Sequence, residues 1–341
     1  MATIKDLHKT EEIFENCWYD AVREIGEAAS YAVDLKKIDY NEFIEKINTN
    51  SNNFIKDFVF SFYSGTVYIF TDAFRQEVLR DFKEQVFEWS QKQEFSDPSI
   101  EDYPSDLITA RDWHFEDHGF GYSSTYDMIH FFRWNDDPVG AYGLFDEIYD
   151  LLHTINAIGV RKSGTDRGFN LNKVADRIEI NRYPPMKGGI AFHSDPIDFT
   201  RFAFTVNLTQ FGVDYKSGGF GVGLGGGRIL QIDPLLEIGS MVGFLPKICH
   251  GVEIIDPHGP TDPSLPESIA GRWYAALVMI NTEKAKDREV TTPDSAYPTL
   301  REQINVFKHK KKPLKLINLD PKQILFRDWA VISSVKTIYS E

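Results

Sequence analysis

Apolar positions in the first third of the chain recur at helical spacing. From Glu11 to Val33 they fall at Ile13, Cys17 or Trp18, Val22, Ile25 and Ala29, and a second amphipathic stretch runs from about Tyr40 to Ile55. Such spacing puts one apolar stripe on one helix face, so residues 1 to about 60 read as helical. The run Phe58–Phe70 is dense in aromatic and β-branched residues and reads as strand, turn at Ser64-Gly65, strand. Thr71-Asp72 then reads as a helix N-cap, followed by the stripe Phe74, Val78, Phe82, Val86, Trp89. Ser96–Asp137 is irregular, with His114, His118 and His130 among many aromatics and no HExxH pattern. Another helix is expected over Pro138–Ile158, and a polar loop over Arg161–Asn170.

From Arg177 the period changes to two. Ile178 and Ile180 mark one strand; Phe202, Phe204, Val206 and Leu208 alternate along another. Further strands are expected over Ser240–Ile248 and Arg272–Ile280. Short strands with close turns indicate a β barrel or sandwich. The Gly-rich run Gly221–Gly227 leads into Arg228-Ile-Leu-Gln-Ile rather than a helix, so it reads as a hairpin turn and not a dinucleotide loop. The economical architecture is α+β in one domain over residues 1–341. Residues 1–174 form a helical or mixed wrapping region, 175–285 a mainly β core, and 286–341 a helical tail.

Composition narrows the function. The chain has 37 basic and 51 acidic residues, a net charge of −14, which argues against nucleic acid and against an anionic membrane surface. The two cysteines, Cys17 and Cys249, form no metal or redox pattern, so a reducing, cytoplasmic setting is expected. The N-terminus lacks a signal-peptide core, and no apolar run is long enough to span a membrane.

The chemistry concentrates at His193-Ser194-Asp195. Two residues apart on an extended segment, the imidazole and carboxylate share a face and can share a metal ion. The best candidate for a third ligand is His250, 57 positions on, at the end of another expected strand. Two His and one carboxylate with open positions suit non-haem Fe(II) oxygenases. Two further readings stay open: a metal-binding β-barrel without turnover and, with no dedicated base in view, a zinc hydrolase.

The HxD…H pattern of His193, Asp195 and His250 resembles that of the Fe(II)/2-oxoglutarate-dependent dioxygenase superfamily. The lead-in Asn181-Arg182-Tyr183-Pro184-Pro185 is similar to the NxYPP element of its isopenicillin N synthase-like branch, and Gly218-Gly219-Phe220 to its Gly-Gly turn. The resemblance covers about residues 175–285. It implies a double-stranded β-helix (jelly-roll, cupin-like) core, with Fe(II) held by His193, Asp195 and His250 and with 2-oxoglutarate and O2 as co-substrates. It also implies that Asn181 and Tyr183 help hold the 2-oxoglutarate, that Arg272 clamps its far carboxylate, and that Tyr274 replaces a usual serine. Two departures stand out: Arg272-Trp273-Tyr274 in place of RxS, and a gap of 22 positions from His250 to Arg272, filled by a Pro-rich loop. Arg182 and Arg201 are the rival cations. In halogenating relatives position 195 is Gly or Ala, so Asp195 points away from halogenation. The expected substrate is a small molecule, an amino acid or a specialised metabolite derived from one, with Arg161, Lys162, Arg167 and Arg182 as candidates for its carboxylate. Hydroxylation, desaturation and oxidative cyclisation all remain open outcomes.

Overall fold

The computed structural model describes residues 2–49, 51–92, 109–113, 124–125, 127–132, 137–158, 174–197, 200–266, 269–281, 292–293, 296–297, 303 and 326–328. The helices are α1 (Leu7–Ile25), α2 (Tyr40–Thr49), α3 (Ser51–Tyr63), α4 (Gln76–Ser90) and α5 (Ala141–Asn156). The strands begin with β1 (Asp34–Asp39), β2 (Thr66–Thr71), β3 (Thr109–Trp113), β4 (Ser124–Thr125), β5 (Asp127–Phe132), β6 (Val174–Tyr183) and β7 (Gly189–Ser194). They continue with β8 (Ala203–Asn207), β9 (Gly219–Gly223), β10 (Arg228–Gln231), β11 (Met241–Phe244), β12 (His250–Glu253), β13 (Arg272–Asn281), β14 (Thr292–Pro293) and β15 (Phe326–Asp328). The architecture is α+β and dominated by sheet.

Two sheets carry the strands. The larger runs β1-β2-β11-β8-β13-β6-β5-β3 and the smaller β14-β7-β12-β9-β10-β15, with β4 also paired to β7. The helices cover one face of the larger sheet. Phe58 and Phe62 of α3 meet Phe202 beside β8, Phe43 of α2 meets Phe70 of β2, and Phe87 of α4 meets Trp273 of β13. Edge-to-face and tilted rings of this kind bury large apolar areas and lock the layers. The alternation expected along β8 is present: Phe202, Phe204, Val206 and Leu208 are all buried. On the opposite face, Phe244 of the larger sheet contacts Phe220 of the smaller one.

The N-terminal region departs from its expected pattern. Residues 58–63 are helical, not the first arm of a hairpin. Ile55, Phe58, Val59 and Phe62 are all buried and spaced as one helix face, a period that outweighs the β propensity of individual aromatics. Only the second arm is a strand, β2, and it pairs in parallel with β1. Strand β1 escaped notice because it is a sheet edge carrying Lys36 and Lys37, a composition that protects edges and weakens the pattern. Thr71 ends β2, Asp72 has a positive φ, and α4 starts after Arg75 with no side-chain cap. The helix α5 starts at Ala141 after Gly140, and its first N–H groups are satisfied by Asp137, whose two carboxylate oxygens accept from Ala141 N at 2.7 Å and Tyr142 N at 2.9 Å. Thus β1, β2, β3 and β5, all before residue 174, enter the larger sheet itself.

The Gly-rich run is the hairpin turn expected: β9 and β10 are antiparallel, and Gly225, Gly226 and Gly227 all have positive φ. The Pro-rich loop after β12 is tied down by Asp256. That buried carboxylate accepts from Lys216 N (2.9 Å), Ser217 N (3.0 Å), Thr261 N (3.0 Å) and Thr261 Oγ1 (2.7 Å). Most of the expected C-terminal helical tail lies outside the described residues; two of its described pieces are the short strands β14 and β15 of the smaller sheet. His114, His118 and the loop Arg161–Asn170 also lie outside them, as do Lys162 and Arg167.

Candidate metal centre

His193 closes β7 and His250 opens β12, and the two residues are directly paired across these antiparallel strands. Their rings lie 4.4 Å apart between centroids. The register shifts just beyond, between His250 and Val252, an irregularity of the kind that re-aims side chains near sites. Asp195 follows β7 and is positioned by its N–H, which donates to the Pro246 carbonyl at 3.0 Å. Its Oδ1 lies 3.9 Å from His193 Nε2 and its Oδ2 3.5 Å from His250 Nε2. One ligand atom from each of the three residues falls within 4.8 Å of the others.

The hydrogen bonding fits a metal. His193 Nδ1 contacts the Ala191 carbonyl at 2.7 Å, and His250 Nδ1 the Ile248 carbonyl at 2.8 Å. A carbonyl oxygen only accepts, so each Nδ1 carries a hydrogen, and each Nε2 faces Asp195. This back-side bond to a carbonyl is the usual way a metal-binding imidazole is oriented. Burial, followed by the neighbouring His250, lowers the His193 pKa to about 4, although Asp195 works the other way. His193 is therefore neutral near pH 7, as a ligand must be. Phe244 packs 4.8 Å from the His250 ring, and Phe220 lies at 6.4 Å. Cys249 points elsewhere, into the separate cluster of Phe192, Ile229 and Tyr297.

The four expected co-substrate residues lie together on β6 and β13. Asn181 pairs with Tyr274 and Tyr183 with Arg272 in the antiparallel register. The two tyrosine rings stack at 5.8 Å with hydroxyls 3.4 Å apart. Burial pushes the Tyr274 phenol up to about 12; Glu179 and Asp195 add to this, while Tyr183 and Arg272 oppose it. Both side-chain polar atoms of Asn181 are buried with no hydrogen-bond partner among the described residues. Unpartnered buried amides are rare and costly. They mark Asn181 as a group with unused bonding capacity.

Arg272 is already engaged. Its Nε donates to Asp233 Oδ2 at 2.6 Å and its Nη2 to Asp233 Oδ1 at 3.0 Å. Burial alone would weaken its charge, but Asp233 raises its pKa further above the usual range. Tyr215 also donates to Asp233 Oδ2, at 2.6 Å, and its phenol is held well above its ordinary pKa by burial and by Asp233. Only Nη1 of Arg272 is buried without a partner among the described residues. The two rival cations are engaged elsewhere. Arg201 lies over the Trp18 ring of α1 on the helix-covered side. Arg182 donates to the Ala270 carbonyl, and alternation along β6 puts it on the face opposite Asn181. Sequence reasoning missed Asp233 and Tyr215. The available signal was an acid, Asp233, set between Ile232 and Leu235-Leu236 where the pattern is otherwise apolar.

No family model matches the chain, and no curated protein matches it. Among solved structures it is similar to a prolyl-4-hydroxylase from Pseudomonas putida (11% identity, TM-score 0.39), with 63% of this chain and 92% of that one covered. It is also similar to an oxidoreductase of the 2OG-Fe(II) oxygenase family from Burkholderia pseudomallei (12% identity, TM-score 0.37), covering 76% and 99%. A third is AviO1 from Streptomyces viridochromogenes Tue57 (10% identity, TM-score 0.35), covering 67% and 89%. Scores and identities this low do not by themselves establish a shared fold or activity. The functional reading stands on the side chains.

Proposed function

We propose that the chain is a non-haem Fe(II) oxygenase that uses 2-oxoglutarate and O2 to oxidise an unactivated C–H bond of a small molecule. The observation that carries this is the convergence of His193, Asp195 and His250, with both Nε2 atoms directed at the carboxylate. Two imidazoles and one carboxylate leave open positions for co-substrate and O2. When bound, Fe(II) supplies the oxidising chemistry, driven by conversion of 2-oxoglutarate to succinate and CO2.

The chain's own residues hold and shield. The Ala191 and Ile248 carbonyls fix the two rings, Pro246 fixes Asp195, and Phe244 keeps water from one side of His250. Asn181 and Arg272 Nη1, buried and unpartnered among the described residues, suit the oxygens of a 2-oxo acid, with Tyr183 and Tyr274 between them. In this reading the two sheets form a double-stranded β-helix in a single 341-residue domain. The substrate is an amino acid or a metabolite derived from one. The largely buried ion pair of Arg177 and Glu179 lies on the Asn181 face of β6, where a zwitterion could exchange partners with it. A cytoplasmic setting accords with two buried thiols, Cys17 and Cys249, that form no disulfide with each other. Among the described residues no helix is long and apolar enough to cross a membrane.

The test is anaerobic addition of Fe(II) and 2-oxoglutarate, followed by air. A weak visible charge-transfer band and then succinate are expected. Fe(II) binding without a band or succinate would leave a metal-binding β protein without turnover. A screen of amino acids by mass, for gain of one oxygen or loss of two hydrogens, would then identify the substrate and distinguish hydroxylation from desaturation or ring closure.

A further inference from the structure

Asp233 is a built feature of the region around the candidate centre. It is 1% exposed, and its Oδ2 accepts from Arg272 Nε, Tyr215 Oη and Phe220 N at 2.6, 2.6 and 2.8 Å. Its Oδ1 takes Arg272 Nη2. The chain clears space for it: a Cβ on Gly219 would lie 2.2 Å from Asp233 Oδ2, and Gly219 has φ +109°. The same assembly reaches the metal ligands, because Phe220, whose N–H Asp233 holds, has its ring 6.4 Å from His250 and 5.8 Å from the Arg272 guanidinium.

A guanidinium recognises a carboxylate through two parallel N–H donors. In Arg272 the edge formed by Nε and Nη2 is used up by Asp233. What remains for a ligand is the other edge, Nη1 with the second Nη2 hydrogen, on a residue whose charge is already balanced. We infer that Asp233 sets co-substrate specificity by neutralising Arg272, so that the site takes 2-oxo acids with an uncharged distal end nearly as well as 2-oxoglutarate. This rests on the oxygenase reading above. An arginine with its charge unbalanced is worth about 10- to 100-fold in favour of a distal carboxylate over an apolar end, and it is this discrimination that Asp233 removes by balancing the charge.

The probes are 2-oxoglutarate and 2-oxopentanoate, which has the same chain length with a methyl in place of the distal carboxylate. Each is titrated anaerobically into the Fe(II)-loaded full chain, with dissociation constants read from the charge-transfer band and from calorimetry. For the wild type the affinity ratio is expected to stay under about tenfold; in Asp233→Asn, which leaves the Arg272 charge unbalanced, it rises by about tenfold or more. Asp233→Asn risks misfolding, so the double variant Asp233→Leu/Arg272→Met removes the pair together, an exchange buried ion pairs often tolerate. Its ratio is expected within about threefold of the wild type. A wild-type ratio of about a hundredfold or more that collapses in the double variant would show Arg272 clamping the carboxylate despite Asp233, and would overturn the inference. If the protein binds Fe(II) but neither acid, the oxygenase reading itself fails, and this inference with it.

Discussion

The metal triad and the Arg272–Asp233 pair are both built from charged and polar side chains at the ends of core strands, yet they use their bonding capacity in opposite ways. In the triad, each histidine spends one nitrogen on a backbone carbonyl and keeps the other directed at Asp195, which is 38% exposed in its side chain. Around Arg272 nearly everything is spent internally: both oxygens of Asp233, two guanidinium nitrogens and the Tyr215 hydroxyl bond to one another out of water. The contrast separates a site arranged to receive a ligand from a pair whose first business is stability. Buried charges left alone are very costly, so a satisfied pair is held firmly in place. A half-exposed carboxylate beside two imidazoles costs little in the unliganded protein and gains most when a cation arrives.

Four substitutions test that contrast. The largest effect is expected from Arg272→Ala, which strands Asp233 in the interior. Urea unfolding should show a loss of about 3–5 kcal/mol, and a loss under about 1 kcal/mol would mean the pair is not the strut described here. Next comes Asp195→Ala. Its Fe(II) or Co(II) affinity should fall by more than about a hundredfold, since even residues supporting a ligand are worth 10- to 100-fold. The stability of the metal-free protein should stay within about 1 kcal/mol. A destabilisation as large as that of Arg272→Ala would erase the distinction between the two regions. Gly219→Ala should cost about 1–3 kcal/mol, because the added Cβ meets Asp233 Oδ2 and the backbone there is left-handed. Metal affinity unchanged within a few-fold in that variant would confirm that the two regions are separable. Smallest is Tyr215→Phe, which removes one donor to Asp233 and should cost about 1 kcal/mol by the same unfolding measurement.

The candidate site was more legible than the fold around it. His193, Asp195 and His250 are readable because metal chemistry demands specific residue types, and strand alternation relates the first two directly. Strand β8 was readable because its apolar residues alternate along one face. The strand expected over 240–248 is instead β11, which ends at Phe244, followed by a turn and by β12, which His250 opens. Both are buried along nearly their whole length, so no alternation marks the break. Residues 58–63 were misread because Phe58 and Phe62 satisfy a strand's composition as well as a helix's spacing. The edge strand β1 was missed because edges are selected to look unlike strands. Arg272 was found as a cation on a strand, but nothing in its neighbours along the chain shows that Asp233, 39 positions earlier, occupies it.

The sequence alone therefore determined the donor set of the centre, the acidic character of the chain and the period-two core, since each depends on residue type and near-neighbour spacing. Tertiary structure decided what depends on partners distant in sequence. It brought His250 opposite His193 across β7 and β12, left the Asn181 side chain without a partner among the described residues, and paired Arg272 with Asp233. The physical reason is that a charge's role is set by which groups surround it once water is removed, and those groups come from strands that meet only when the two sheets close on one another.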